Sequence, residues 1–116
     1  GRHLIDAYGA GGFRFGEMSH KGSILMLPSG VKAWYVRDGD PWAGAQFADV
    51  MAEHAGIELL LIGTGVNLRP LPEALRLRLK ELGIAVEPMT TPPAARTYNI
   101  LLAEGRKVAA ALVAVA

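Results

Sequence analysis

Apolar and polar residues alternate along the first third of the chain with the two-residue period of β-strands. Residues 13–15 read Phe-Arg-Phe, as in a half-buried strand, and residues 4–8 form a similar segment before a glycine-rich turn. Residues 23–27 and 31–36 are apolar runs separated by Pro-Ser-Gly at 28–30, which is typical of a β-hairpin. We therefore predict four strands in this third, mainly antiparallel.

After residue 40 the apolar period becomes that of a helix. Asp40 followed by Pro41 is a favourable helix start, and Gly56 is a favourable end. Residues 57–62 then form a nearly continuous apolar run, the pattern of a strand buried on both faces. The apolar positions of this first helix are Phe47, Val50, Met51 and His54.

Two more helices alternate with strands in the second half. Gly83 ends the second helix and residues 84–86 form a short strand. Thr91 and two prolines begin the third helix, Gly105 ends it, and residues 107–115 form the last strand. This alternation predicts parallel strands in a single α/β (α+β) domain over residues 1–116. The apolar helix faces comprise Leu71, Leu75, Leu79 and Leu82 in the second helix, and Ala94, Ala95, Tyr98, Leu101 and Leu102 in the third.

Composition narrows the function classes. Of 116 residues, 51% are apolar and 20% are charged. The net charge is +1, so the chain lacks the excess of basic residues that is typical of a nucleic-acid binder. Cysteine is absent, which excludes disulfides, thiol catalysis and cysteine-based zinc sites. No apolar run is long enough for a transmembrane helix. The first residue is Gly1 rather than methionine, as a processed or trimmed start would leave.

The loop Gly63-Thr64-Gly65 is the first candidate site. It follows the buried strand at its carboxyl end, where open α/β sheets bind ligands, and its glycines expose backbone N–H groups to an anion. The sequence matches neither the dinucleotide-binding nor the P-loop pattern. The alternative interpretation is a tight strand exit that needs glycine for its backbone geometry.

The start of the third helix is the second candidate. If Thr91 is the N-cap, its hydroxyl and the free N–H groups of the first turn face one space, to which Arg96 adds a positive charge. We predict that Gly63, Thr64 and Gly65 share one anion-binding pocket with Thr91, Arg96 and Asn99. The alternative is that Thr91 only caps the helix and that Arg96 pairs with Glu104 or Glu87.

No residue pattern indicates catalysis. His3, His20 and His54 lie in different elements without metal-ligand spacing, and no serine lies in a nucleophile-elbow motif. We therefore expect no catalytic residue, no cofactor and no metal. Trp42, beside Pro41, either packs over the helix start or is an exposed contact for a partner protein.

Several segments together resemble the Mth938-like family, a group of small proteins of unknown function that includes a mitochondrial complex I assembly factor. The resemblance runs from about Tyr8 to the C-terminus. It rests on residues 62–65, 71–72, 83–87, 94–99 and 104–106 and on their order and spacing. The shared positions are Gly63, Thr64, Gly65, Arg96, Thr97, Asn99, Glu104 and Arg106.

The resemblance implies a three-layer fold. A central mixed sheet has helices on one side and an N-terminal antiparallel β layer, with further cover, on the other. It also implies a non-catalytic binding or assembly protein whose partners are proteins, among them subunits of respiratory or membrane complexes. The competing hypothesis is a small anionic-ligand binder or an enzyme that uses the glycine loop. We expect a cytoplasmic location in a bacterium, with the periphery of the inner membrane as the alternative, and a mitochondrial location in a eukaryote.

Overall fold

The computed structural model describes residues 2–116 and contains eight strands and three α-helices within them. Two 3-10 turns, Gly44–Phe47 and His54–Gly56, flank the first and shortest helix. The strands are β1 (Ile5–Gly9), β2 (Gly12–Phe15), β3 (Met18–Lys21), β4 (Ile24–Leu27), β5 (Gly30–Ala33), β6 (Leu59–Gly63), β7 (Ala85–Met89) and β8 (Val108–Leu112). The helices are α1 (Ala48–Ala52), α2 (Glu73–Glu81) and α3 (Thr91–Ala103).

The strands form two sheets. The central sheet has the order β5-β4-β8-β6-β7, and the smaller sheet has the order β1-β2-β3. In the central sheet β6 runs parallel to β7 and β8, whereas β4 is antiparallel to β5 and β8. The mixed central sheet, the antiparallel N-terminal sheet and the predicted hairpin of β4 and β5 are therefore confirmed.

Each face of the central sheet packs against a different layer. On one face, Phe47 and Val50 of the first helical segment pack with Leu75 and Leu79 of α2. On the other face, α3 packs beside the three-stranded sheet and is thus the further cover of that layer. The strand β8 lies between the two layers and is buried along its whole length, which suits its run of small and branched apolar residues.

The sequence missed β3, so five strands rather than four precede the first helix. Met18, Ser19 and Lys21 are exposed and His20 is only partly buried. Because β3 is at the edge of its sheet and covers little of the core, it lacks the alternation that identifies a half-buried strand.

The start predicted for the first helix lies before the observed one. Helical structure begins at Gly44, and the Asp40 carboxylate accepts a hydrogen bond from the Arg37 backbone N–H (2.8 Å). Asp40 therefore stabilises a turn instead of capping a helix. His54, predicted on the apolar face, is exposed.

The predicted glycine ends of the second and third helices are confirmed. Gly83 and Gly105 follow α2 and α3 with φ of 84° and 77°. In each case a backbone N–H just beyond the helix donates to a carbonyl of the last turn, as in Ile84 to Leu79 (3.0 Å) and Arg106 to Leu101 (3.0 Å).

Both tryptophans belong to one aromatic cluster. Trp34 follows β5, is buried, and stacks on Trp42 with ring centroids 6.3 Å apart. The Phe47 and Trp42 ring centroids lie 6.0 Å apart, and the Arg69 guanidinium lies over the Trp42 ring, 5.0 Å from its centroid. Trp42 is thus partly buried by packing over the start of the helical segment, as the first interpretation held.

Candidate functional site

The glycine loop leaves the carboxyl end of β6, between the ends of β7 and β8. The Thr64 N–H donates to the Met89 carbonyl (2.7 Å), and the Gly63 carbonyl accepts from the Val113 N–H (2.8 Å). These two bonds extend the pairing of β6 with both of its neighbours beyond the strand itself. The loop is therefore tied into the sheet on both sides.

The two glycines are required for different reasons. Gly65 has φ of 101°, a conformation that favours glycine, and an added Cβ would collide with the Asp38 carboxylate. Gly63 does not have positive φ, so the backbone strain considered for it does not arise. Instead, a Cβ there would lie 2.9 Å from Leu112 Cδ2 and 2.9 Å from Thr91 Oγ1. Close packing explains Gly63, and backbone conformation explains Gly65.

Thr64 shapes the loop that follows it. Its side chain is fully buried, and its hydroxyl donates to the Asn67 carbonyl (2.6 Å) while accepting from the Arg69 N–H (3.1 Å). A single hydroxyl thus closes the turn over residues 64–69. Val66 and Leu68 project from this turn and are 64% and 62% exposed.

Thr91 joins three elements through one buried hydroxyl. Oγ1 donates to the Val113 carbonyl (2.7 Å) and accepts from the Gly65 N–H (3.0 Å). Its own N–H donates to the Gly65 carbonyl (3.0 Å). The predicted cap at Thr91 is wrong, because Thr90 is the residue before the helix and Thr91 is the first helical residue. Thr91 instead connects α3 to the ends of β6 and β8.

Arg96 and Asn99 contact β1. Arg96 Nη1 donates to the Tyr8 hydroxyl (3.1 Å), so it pairs with neither Glu87 nor Glu104. The Asn99 side chain accepts from the Ile5 N–H (2.8 Å) and donates to the Ile5 carbonyl (2.7 Å). Asn99 therefore binds the strand as a neighbouring strand would.

Of the six predicted site residues, the structure brings Gly63, Thr64, Gly65 and Thr91 together. Their N–H groups at Thr64, Gly65 and Thr91 all have partners inside the fold. Arg96 and Asn99 instead join α3 to the small sheet. Anion binding by these residues stays a prediction. The amides of Thr64, Gly65 and Thr91 have no free N–H group to donate to an anion.

Asp38 also lies against the loop, which no pattern in the sequence indicates. Its carboxylate lies against Gly65 and 3.5 Å from the Val66 N–H. Asp38 belongs to a polar turn 27 positions earlier in the chain than Gly65, so only the tertiary structure brings the two together. A carboxylate at this position adds negative charge beside the amides that were expected to attract an anion.

No group of three or more histidine, aspartate or glutamate side chains suited to a metal ion occurs in residues 2–116. Across the same part of the chain, no helix is both long and apolar enough to cross a membrane.

Residues 5–113 match the family model described as a protein of unknown function, DUF498/DUF598. The chain belongs to the DUF498/DUF598 family.

Solved structures confirm the fold of this family member. A crystal structure from Bartonella henselae, described as an outer membrane protein, is 51% identical, with a TM-score of 0.94 over 100% of this chain and 98% of that one. A solution structure of a Bordetella pertussis protein, described as an Mth938-like domain, is 31% identical, with a TM-score of 0.83 over 97% of this chain and 85% of that one. The predicted resemblance to the Mth938-like family is thus confirmed.

A curated relative of this DUF498/DUF598 chain has a named role. Human NADH dehydrogenase [ubiquinone] 1 alpha subcomplex assembly factor 3 is 32% identical over 109 residues. The match covers 94% of this chain and 59% of the human protein, so this chain spans about three fifths of the relative's length.

Proposed function

We propose that the chain is a non-catalytic assembly protein that binds subunits of a respiratory complex while that complex is built. The observation that carries this proposal is the 32% identity to a human NADH dehydrogenase assembly factor over 94% of the chain. The similarity covers the complete fold, so it is not limited to one motif.

The contacts of the predicted site residues support a scaffold role. Gly63 is required for close packing, Thr91 joins α3 to two strand ends, and Asn99 holds β1. Gly63 and Asn99 are also among the positions that carry the resemblance to the Mth938-like family. These three residues stabilise the fold, so the surfaces of the fold are the natural place for partner contacts.

Deletion of the encoding gene tests the assembly role. We expect the amount of fully assembled NADH dehydrogenase, measured on native gels with an in-gel activity stain, to fall, because a subassembly would lack its binding protein. Succinate dehydrogenase in the same membranes is the internal control. Restoring the gene should restore the complex, whereas an unchanged amount of assembled enzyme after deletion would contradict the proposal.

The proposed location follows from the proposed role. A bacterial chain of this kind would act in the cytoplasm or at the cytoplasmic face of the inner membrane, where a respiratory subassembly presents its surface. Cell fractionation followed by a salt wash tests this location. A chain held at the membrane surface by charged contacts should leave the membrane fraction in high salt, since such contacts weaken with ionic strength.

A further inference from the structure

The two sheets have four outer edges, and two of them are protected. On β1, the backbone N–H and carbonyl of Ile5 are both occupied by the Asn99 side chain. On β7, Pro88 has no backbone N–H, so this edge lacks a hydrogen-bond donor at that position. The remaining edges are those of β3 and β5, which pair with no further strand within residues 2–116.

These two unpaired edges border one groove. A cavity of about 290 Å³ has residues of both strands in its wall. It continues into a second cavity of about 430 Å³, because His20 and Ala33 line both. The first cavity is lined by His3, Phe15, Met18, His20 and residues 30–33.

The strand β5 presents free hydrogen-bonding groups to this groove. A two-residue turn joins Leu27 to Gly30, and the Trp34 N–H donates to the Ser23 carbonyl (3.0 Å). Because hydrogen-bonded pairs alternate along an antiparallel ladder, Gly30, Lys32 and Trp34 face β4. The backbone groups of Val31 and Ala33 therefore face outward, toward any strand added at this edge.

The side chains around the first cavity favour an occupant that is both apolar and acidic. Phe15, Met18 and Val31 supply apolar surface, whereas no carboxylate lines this cavity. Lys32 lies among its lining residues and makes an ion pair with Asp49 at 3.6 Å. That pair is about half exposed, so it contributes little and is open to exchange for another carboxylate.

We propose that the groove between β3 and β5 binds an extended, acidic segment of a protein partner, which adds as a sixth strand to the edge of β5. Alternate side chains of an added strand point to opposite faces. Apolar side chains would cover Phe15, Met18 and Val31, and the acidic side chains between them would reach Lys32. This inference rests on the proposed function, because it presumes a protein partner.

A second copy of the chain fits this edge less well. Antiparallel pairing of two β5 edges would place Lys32 of each copy near the other, and like charges opposite one another destabilise a strand pair. The charge pattern therefore selects a partner with carboxylates.

A blocked heptapeptide of alternating glutamate and valine is the direct probe. We expect it to protect the Val31 and Ala33 amides from hydrogen exchange by about tenfold or more and to leave the Leu61 amide unchanged. The matched control peptide has lysine in place of glutamate and should bind at least about tenfold more weakly, equivalent to about 1.4 kcal/mol. Equal binding of both peptides, or none at about 1 mM, would overturn the proposal.

A variant at Ala33 tests where the added strand binds, and variants at Lys32 and Asp49 test the role of the Lys32 charge. Ala33→Pro removes an outward N–H and keeps the β4 ladder, so peptide binding should be lost, whereas the control Ala33→Ser should bind normally. Lys32→Gln should weaken binding, and Asp49→Asn should strengthen it by freeing Lys32. If Ala33→Pro does not fold, the opposite shifts of the last two variants still decide the matter. Unchanged binding in both variants contradicts the proposal.

Size-exclusion chromatography and the gene-deletion strain separate the remaining outcomes. Dimers of the free chain that Ala33→Pro dissociates would assign the edge to a second copy and overturn the partner assignment. If Ala33→Pro and Lys32→Gln restore NADH dehydrogenase in the deletion strain, the assembly role stands and the groove proposal fails. If peptide binding is confirmed but deletion leaves the enzyme unchanged, the groove stands and the assembly role fails.

Discussion

At the scale of single residues, the most consequential side chain is Thr91. Its buried hydroxyl satisfies the Gly65 N–H and the Val113 carbonyl at once, two backbone groups that would otherwise be buried without partners. An unpartnered buried polar group costs about 1–3 kcal/mol, more than the hydrogen bond itself contributes. The helix start is therefore important for stability, although not as a cap.

We expect Thr91→Val to lower the free energy of unfolding by about 1–3 kcal/mol, because valine keeps the shape and removes the hydroxyl. Urea denaturation measures the change. Thr90→Val is the matched control, since the Thr90 side chain makes no capping bond and its loss should cost little. An equal loss in both variants would show that the Thr91 hydroxyl has no special role.

Tyr98 gives the fold a dependence on alkaline pH. Burial raises the pKa of its phenol, which the neighbouring Arg2 only partly offsets. Its hydroxyl accepts from Arg2 Nη2 (3.0 Å) and donates to the His3 carbonyl (3.3 Å). The native state thus holds the phenolic proton more tightly than the unfolded chain does.

Because folding raises the pKa of Tyr98, the protonated phenol contributes fully to the free energy of unfolding below its ordinary pKa near 10. That contribution decreases as the pH rises through the pKa of the folded state. We expect the unfolding free energy of the wild type to decrease above about pH 10 more steeply than that of Tyr98→Phe. Denaturation curves at pH 8 to 11 make the comparison. Parallel pH profiles for the two proteins would contradict this assignment.

At the scale of elements, α2 shows how one stripe orients a helix. Leu75 and Leu79 are buried against the central sheet, whereas Leu77 is 41% exposed on the other side. Two of the four predicted positions, Leu71 and Leu82, are only partly buried because the helix begins at Glu73 and ends at Glu81. The predicted leucine stripe is therefore correct, but its first and last leucines lie outside the helix.

Leu79→Ala should cost roughly 2–5 kcal/mol, because the removed side chain is completely buried and leaves a cavity against the sheet. Leu77→Ala on the same helix should cost far less, since alanine has high helix propensity and the site is exposed. Thermal or urea unfolding distinguishes the two. A loss below about 0.5 kcal/mol for Leu79→Ala, the range of ordinary surface changes, would mean that this helix does not bury its leucine stripe.

At the scale of the whole molecule, a few side chains of α3 hold the small sheet in place. Asn99 occupies both backbone groups of Ile5, and the exposed Arg96 adds a bond to Tyr8 farther along β1. The small sheet also contributes Ile5, Phe13 and Phe15 to the core it shares with α3. Its edge is thus held by side chains of a helix, not by another strand.

Replacing Asn99 with alanine should loosen the small sheet selectively. Two backbone groups of Ile5 lose their partners, at about 1–3 kcal/mol each if they stay buried. Hydrogen exchange should therefore accelerate in β1 and β2 and change little in β6. Arg96→Ala is the control, because an exposed contact contributes little. Uniform acceleration in both sheets would show that the molecule opens as one unit.

The sequence by itself determined the elements with strong local patterns. The buried run of β6, the leucine stripe of α2 and the glycines at 83 and 105 predicted their elements because period, burial and positive φ are local properties. The order of strands and helices then limited the sheet to a mixed one, and the segments shared with the Mth938-like family gave the fold.

Only the tertiary structure decided which contacts the residues of the candidate site make. The partners of Thr91, Gly65 and Asn99 come from β8, from α3 and from β1, which are distant in sequence, and Asp38 reaches Gly65 from a separate turn. Hydrogen-bond satisfaction is a property of the assembled fold, so no local pattern could show that the loop amides are already occupied. The exposed edge strand β3 escaped prediction for the related reason that burial creates the alternation by which strands are recognised.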